Sequence, residues 1–290
     1  MGRNLTNLII AIAALALVAG CFCRSDRQGR SFPIDDPPSN TARSSTPQEE
    51  RRSSSKPDNG DFIVEHLDVT TPRYVEIDEQ VKKERLLPDA AERLNRALSL
   101  PHDIFLRTKD CKEVNAFYDP RERSITMCYE LMEYFYKTFK SDGRSDDESW
   151  EKMFAAVRFV FLHEIGHALI DAYKLPIMGG EEDAADRCSA FINLKELGEE
   201  GVDAVFAAAE AFAIESRRSS SSRRNLADEH LLSEQRFYNS LCMIYGSNPT
   251  KYSRILTEGM LPKERALRCP NEFQKTVDSW MSLLEPWRKK

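Results

Sequence analysis

Histidine is scarce in this chain, five residues in 290, and positive charge is not in surplus. The 41 Lys and Arg against 47 Asp and Glu leave a formal charge of −6, which argues against a nucleic-acid partner. Apolar residues nearly vanish between Asp35 and Asn59, so that stretch cannot bury enough surface to offset the entropy of ordering it. The N-terminal apolar run, Leu8 to Val18, is too short to span a bilayer comfortably. With Arg3 ahead of it and the small pair Ala19-Gly20 behind, it has the proportions of a signal peptide.

Three regions follow. Residues 1–20 are the expected signal, 21–62 a disordered tether, and 63–290 one folded catalytic domain. The junction Val18-Ala19-Gly20-Cys21 resembles a bacterial lipobox, which would leave Cys21 lipidated and the chain exported and anchored to a membrane. Phe22 stands where an aspartate would retain the protein in an inner membrane, so a host with two membranes would carry it on the outer one. The alternative is ordinary signal cleavage with Cys21 and Cys23 as incidental thiols. The run Arg217-Arg218-Ser219-Ser220-Ser221-Ser222-Arg223-Arg224 reads as a solvated loop.

What the chain does have is His163-Glu164-Ile165-Gly166-His167. Five histidines scattered over 290 positions give about 0.09 pairs at this spacing by chance, and about 0.014 once an acidic neighbour is required. Residues four apart on an α-helix share a face, so both imidazoles can reach one metal ion. Glu164 points to the side of that ion, where it can act as a general base on water. The flanking Met153–Leu162 and Ala168-Leu169-Ile170 are apolar almost all round, which buries the helix. Buried imidazoles and carboxylates need partners.

A catalytic zinc takes three protein ligands and keeps one position open. Glu182, just past the Gly179-Gly180 turn, is the expected third ligand, with Glu181 its rival. Asp186 lies one turn on and is placed to accept a hydrogen bond from the far nitrogen of a ligand histidine. The acidic cluster also favours a helix N-terminus electrostatically, and both roles can hold together. Gly166 costs about 1 kcal/mol against alanine in a helix interior, and a close helix-packing contact is the expected reason.

Around the motif, residues 74–98 read as helical, with Leu86, Leu87, Ala91, Leu94 and Leu98 as a buried stripe. Ile104–Leu106, Val114–Tyr118 and Ser124–Tyr129 read as strands, the last two joined by a turn at Asp119–Arg123. Helices are expected over 130–140, over 149–173, from Glu181 and through most of the rest. The fold class is α+β, a small antiparallel sheet packed on a mainly helical domain with a buried HExxH helix. The expected disulfides are Cys111–Cys128 across a hairpin and Cys242–Cys269 between C-terminal elements, with Cys188 a buried thiol.

HEIGH followed by a glutamate and, four on, an aspartate resembles the gluzincin class of zinc peptidases, which includes the thermolysin-like enzymes. The blocks Asn115–Pro120, Ile125–Glu130, Glu181–Asp186, Gln235–Asn239 and Tyr245-Gly246 resemble those of a bacterial metallopeptidase family without an assigned substrate. The likeness spans most of residues 100–285. It implies a zincin-like fold, one Zn2+ per chain on His163, His167 and Glu182, and Glu164 as base. It also implies peptide or protein substrates, here in the cell envelope. Asn115–Tyr118 resembles the strand that grips substrate backbone in such enzymes, with Asn115 bonding its main chain; the other reading is a plain core strand with Phe117 inward. Those enzymes stabilise the tetrahedral intermediate with a tyrosine and a histidine, neither of which aligns here. His230 is the candidate, against a solvated surface imidazole, and Tyr129, Tyr238 and Arg236 are further options. Two other functions stay open: a non-cleaving zinc domain that binds extended peptides in envelope assembly, and a hydrolase of peptidoglycan cross-links.

Overall fold

The computed structural model describes residues 56–218 and 229–289. The expected signal segment, Cys21 and the expected tether as far as residue 55 lie outside the described residues, as do residues 219–228, which hold all but the first two residues of the serine-arginine run. Phe62, at the expected end of the tether, is already buried in the first strand.

Four strands form one sheet: β1 (Phe62–Glu65), β2 (Ile104–Lys109), β3 (Ala116–Asp119) and β4 (Ser124–Cys128), in the order β1-β2-β4-β3. This corrects the expectation of an antiparallel sheet. Only β3 and β4 run antiparallel; β1 pairs with β2, and β2 with β4, in parallel. The hairpin is local and carries its own turn, whereas parallel pairing joins segments such as Phe62 and Ile104 through a crossover that leaves no short-range mark. Every residue of β4 is buried, as an inner strand requires, while β3 is half-buried at the edge.

Helices α1 (Val75–Glu84) and α2 (Leu86–Ala97) make the crossover between β1 and β2. The segment expected as one helix is split at Arg85, which adopts a left-handed φ of 52°. Pro88 accounts for the break, because its ring would clash with the carbonyl of Glu84 four residues back and it has no N–H to offer. Helix α3 (Tyr129–Ser141) leads to α4 (Asp146–Tyr173), the central helix of the domain. The start of α4 is fixed by Ser145, whose side chain accepts from the Glu148 backbone N–H while Glu148 accepts from Ser145. By length and composition α4 could cross a membrane, yet it is mostly buried inside the domain, packed against α3, β3, β4 and the first two of the helices that follow.

The helices that follow are α5 (Glu181–Glu196), α6 (Gly198–Arg218), α7 (Ser233–Ser247), the short α8 (Arg254–Thr257) and α9 (Lys263–Ala266), and α10 (Cys269–Leu284). Disulfides join Cys111 to Cys128 and Cys242 to Cys269, and Cys188 is a buried free thiol. The second bridge ties α7 to α10 where Gly246 lets the helices touch; a Cβ there would sit 2.3 Å from the Cys269 carbonyl oxygen.

Gly166 does the same for α4 and α5. A Cβ at 166 would stand 3.0 Å from Ala185 Cα, 3.1 Å from Cys188 Cβ and 3.3 Å from Ala185 Cβ. The crossing is close because alanine and cysteine face a missing side chain, and it brings the start of α5 onto the His163 face of α4. Gly166→Ala adds about 1 kcal/mol of helix propensity but must push the two helices apart against three contacts. The expected net effect is destabilisation of about 1–2 kcal/mol in urea unfolding; an unchanged or higher stability would show that α5 can move aside.

Candidate metal centre

Helix α4 carries His163 and Glu164 into the interior, 4 % and 6 % exposed, with His167 one turn on. Helix α5 starts at the extended Gly180, and its first turn delivers Glu181 and Glu182 to the two rings. His163 Nδ1 lies 2.9 Å from Asp186 Oδ1 and His167 Nδ1 lies 2.8 Å from Glu181 Oε1. A carboxylate only accepts, so each ring donates its Nδ1 proton outward. In neutral rings both Nε2 atoms are then bare lone pairs, and they face each other at 3.1 Å.

Glu182 closes the cluster. Its Oε2 is 3.1 Å from His163 Nε2, and its Oε1 is 3.4 Å from His167 Nε2. Oε2 is buried and takes no well-aligned hydrogen bond, although two imidazole nitrogens stand within about 3 Å of it. Lone pairs that converge without a donor between them suit a shared cation. Four donors about 2.1 Å from a tetrahedral zinc would be spaced about 3.4 Å apart, close to the spacing these atoms already have. The residues fit a divalent ion.

The electrostatics agree. Burial pulls the His163 imidazole down, but the hydrogen bond to Asp186 and the adjoining Glu182 carboxylate outweigh it and leave its pKa raised, at about 9. His167 is raised in the same way, by Glu182 and Glu181 against burial. Burial works against ionising Glu182, yet the surrounding imidazoles hold its carboxyl far below the usual carboxylate range. Asp186 is likewise held low against burial, by Arg236 and His163. Burial raises Glu164, whose carboxylate accepts the backbone N–H of Tyr118.

That contact fixes the role of β3 in the site. The Cys128 N–H bonds to the Asn115 carbonyl, so by antiparallel alternation Ala116 and Tyr118 turn their backbone groups away from β4. Tyr118 meets Glu164 on that free edge, and its hydroxyl donates to Asp171 on α4 at 2.9 Å. Ala116 and Tyr118 pack on the core, while Phe117 does not, so the plain core strand with Phe117 inward is not what is seen. Asn115 is exposed at the start of this edge.

His230 joins the cluster from the segment before α7. Its Nε2 is 2.9 Å from Glu182 Oε2, and its ring lies 6.1 Å from that of His163, nearly parallel. His163, Glu182 and His230 offer donor atoms all within 4.8 Å of one another. Of the other oxyanion options, Tyr129 turns its hydroxyl to Asp78 and Thr108 in the core, and Tyr238 packs beside Phe237. Arg236 is spent on Asp186, with bonds of 2.8 and 2.7 Å. The sequence reading missed that arrangement, and it missed Glu181 as the Nδ1 partner of His167; both depend on which ring nitrogen faces which helix. An apolar cleft of about 440 Å³ lies elsewhere, among Leu94, Phe161, Leu162, Phe191 and Met281. None of the residues in the cluster lines it.

Residues 66–284 match the family DUF4344, described as "Putative metallopeptidase". The chain belongs to this family. No curated protein and no solved structure matches it. Family membership implies a peptidase and a metal, and the matched span holds every member of the cluster.

A metal bound among these rings would compete with protons for the same nitrogens. In the metal-free protein the raised pKa of His163 gives stability that is complete below its ordinary 6.5 and lost as pH rises through about 9. The lowered Glu182 and Asp186 act in the opposite sense, with stability present above 4.5 and 3.8 and lost in acid. Metal-free protein should therefore lose stability between about pH 6.5 and pH 9, and metal-loaded protein should not. Thermal unfolding across that range checks this; parallel curves would contradict it.

Proposed function

We propose that the chain is an exported zinc metallopeptidase of gluzincin type, acting as an endopeptidase on peptides or proteins in the cell envelope. The observation that carries this reading is the meeting of two Nε2 lone pairs and one carboxylate around a single point, with Glu164 alongside. His163, His167 and Glu182 would hold the ion. Bound zinc supplies Lewis-acid polarisation of the scissile carbonyl and a more acidic water. Glu164 takes the proton of the attacking water and hands it to the leaving nitrogen. The backbone of Tyr118 lies beside that carboxylate. His230 presents an imidazole on the half-exposed side of the cluster and would stabilise the oxyanion. A substrate strand would add along the outer edge of β3 at Ala116, with Asn115 beside it. The signal-like N-terminus and Cys21 support export on a lipid anchor.

The rival, a zinc domain that binds peptides without cutting them, has no use for a buried base held beside the metal. Glu164→Gln should keep the metal and lower peptide hydrolysis by at least about 1,000-fold, as loss of an essential proton carrier does. Digestion of a mixed peptide library by both forms, with purified cell wall as a parallel substrate, makes the test. Unchanged turnover in Glu164→Gln removes it from the mechanism; cleavage of cell wall alone moves the substrate to peptidoglycan cross-links. Metal-loaded protein that cuts neither supports the binding domain instead.

A further inference from the structure

We propose that Arg236 is a positioning residue that sets the metal affinity of the centre by holding Asp186 against His163; this rests on the metallopeptidase reading above. The two residues are 50 positions apart in sequence and meet across α5 and α7. Arg236 Nε donates to Asp186 Oδ2 at 2.8 Å and Nη2 donates to Oδ1 at 2.7 Å. His163 Nδ1 donates to the same Oδ1 at 2.9 Å. Oδ1 therefore has both lone pairs in use, one on the guanidinium and one on the imidazole. A fork of two parallel bonds fixes the plane of the carboxylate, and with it the direction in which Oδ1 faces the ring.

Arg236 is itself fixed. Its guanidinium lies 4.2 Å from the ring centroid of Phe212 on α6, and only 15 % of its side chain is exposed. The order of support runs from Phe212 through Arg236 and Asp186 to His163, which draws four helices into the aim of one Nε2. The shielded Asp186, 18 % exposed, would be an uncompensated charge beside the metal without its arginine. With it, the Arg236–Asp186 pair is neutral overall, so the Asp186 carboxylate orients His163 without adding net charge to the centre. Lysine could supply the charge but not the fork.

The test is metal affinity, measured on the metal-free chain titrated with zinc in competition with a chromogenic chelator. Partners of this kind are worth about 10- to 100-fold in affinity. Arg236→Gln should weaken binding by that factor and Arg236→Lys by less. Asp186→Asn should weaken it comparably, and the double variant should be no weaker than Asp186→Asn alone, because Arg236 acts only through that carboxylate. Additive losses, or wild-type affinity in Arg236→Gln, would overturn the proposal. If Arg236→Gln does not fold, Arg236→Lys decides it: wild-type affinity there denies the fork a role. Wild-type protein that binds no zinc would take the metallopeptidase reading down as well, whereas tight wild-type binding with an indifferent Arg236 removes this inference alone.

Discussion

A buried imidazole and a half-buried one that face each other at 3.1 Å across bare nitrogens call for something positive between them. That constraint organises the domain. Each ring is held from behind by a carboxylate, Asp186 on one and Glu181 on the other, so the outward proton is fixed and the inward lone pair is exposed. Glu182 then adds negative charge at the same point. Without a cation the cluster satisfies itself by binding protons, which is why its histidines lie above their ordinary range and Glu182 and Asp186 below. A divalent ion meets the same demand with better geometry. The energetic logic of the centre is that of a proton site waiting to be exchanged for a metal.

The rest of the fold delivers those groups. Gly166 removes a side chain where α4 and α5 cross, and so sets the first turn of α5 against the histidines. The edge strand β3 reaches Glu164 with a backbone N–H that its pairing with β4 leaves unused. Helices α6 and α7 reach the centre through the stacked Arg236. The disulfides lie farther out, one closing the β2–β3 loop onto β4 and one joining α7 to α10. Their contribution to stability is of the order of 3 kcal/mol each by loop closure.

Much of this was legible in the sequence because it is local. The four-residue spacing of His163 and His167, the Gly179-Gly180 break and the acidic turn after it are short-range signals, and each element stands where it was expected. The hairpin at Asp119–Arg123 and both cysteine pairs were also readable. What escaped is what joins distant segments. The parallel pairing of Phe62 with Ile104 has no local signature, so the sequence reads as an antiparallel sheet. Pro88 could have marked the break at Arg85, but a strong apolar stripe ran through it. Arg236 reads from the sequence as an oxyanion candidate because nothing near it reveals a carboxylate 50 residues earlier. Glu181 and Glu182 are neighbours with the same chemistry, and only the orientation of the rings separates the residue behind His167 from the one between the histidines.

The central claim is that one ion sits among His163, His167 and Glu182. Metal analysis of protein purified without chelator, run beside Glu182→Gln and Glu181→Gln, measures it most directly. The wild type should hold about one zinc per chain, Glu182→Gln should empty the site, and Glu181→Gln should weaken it but leave it filled. Wild-type protein free of metal, or Glu182→Gln that holds as much zinc as the wild type, would contradict it.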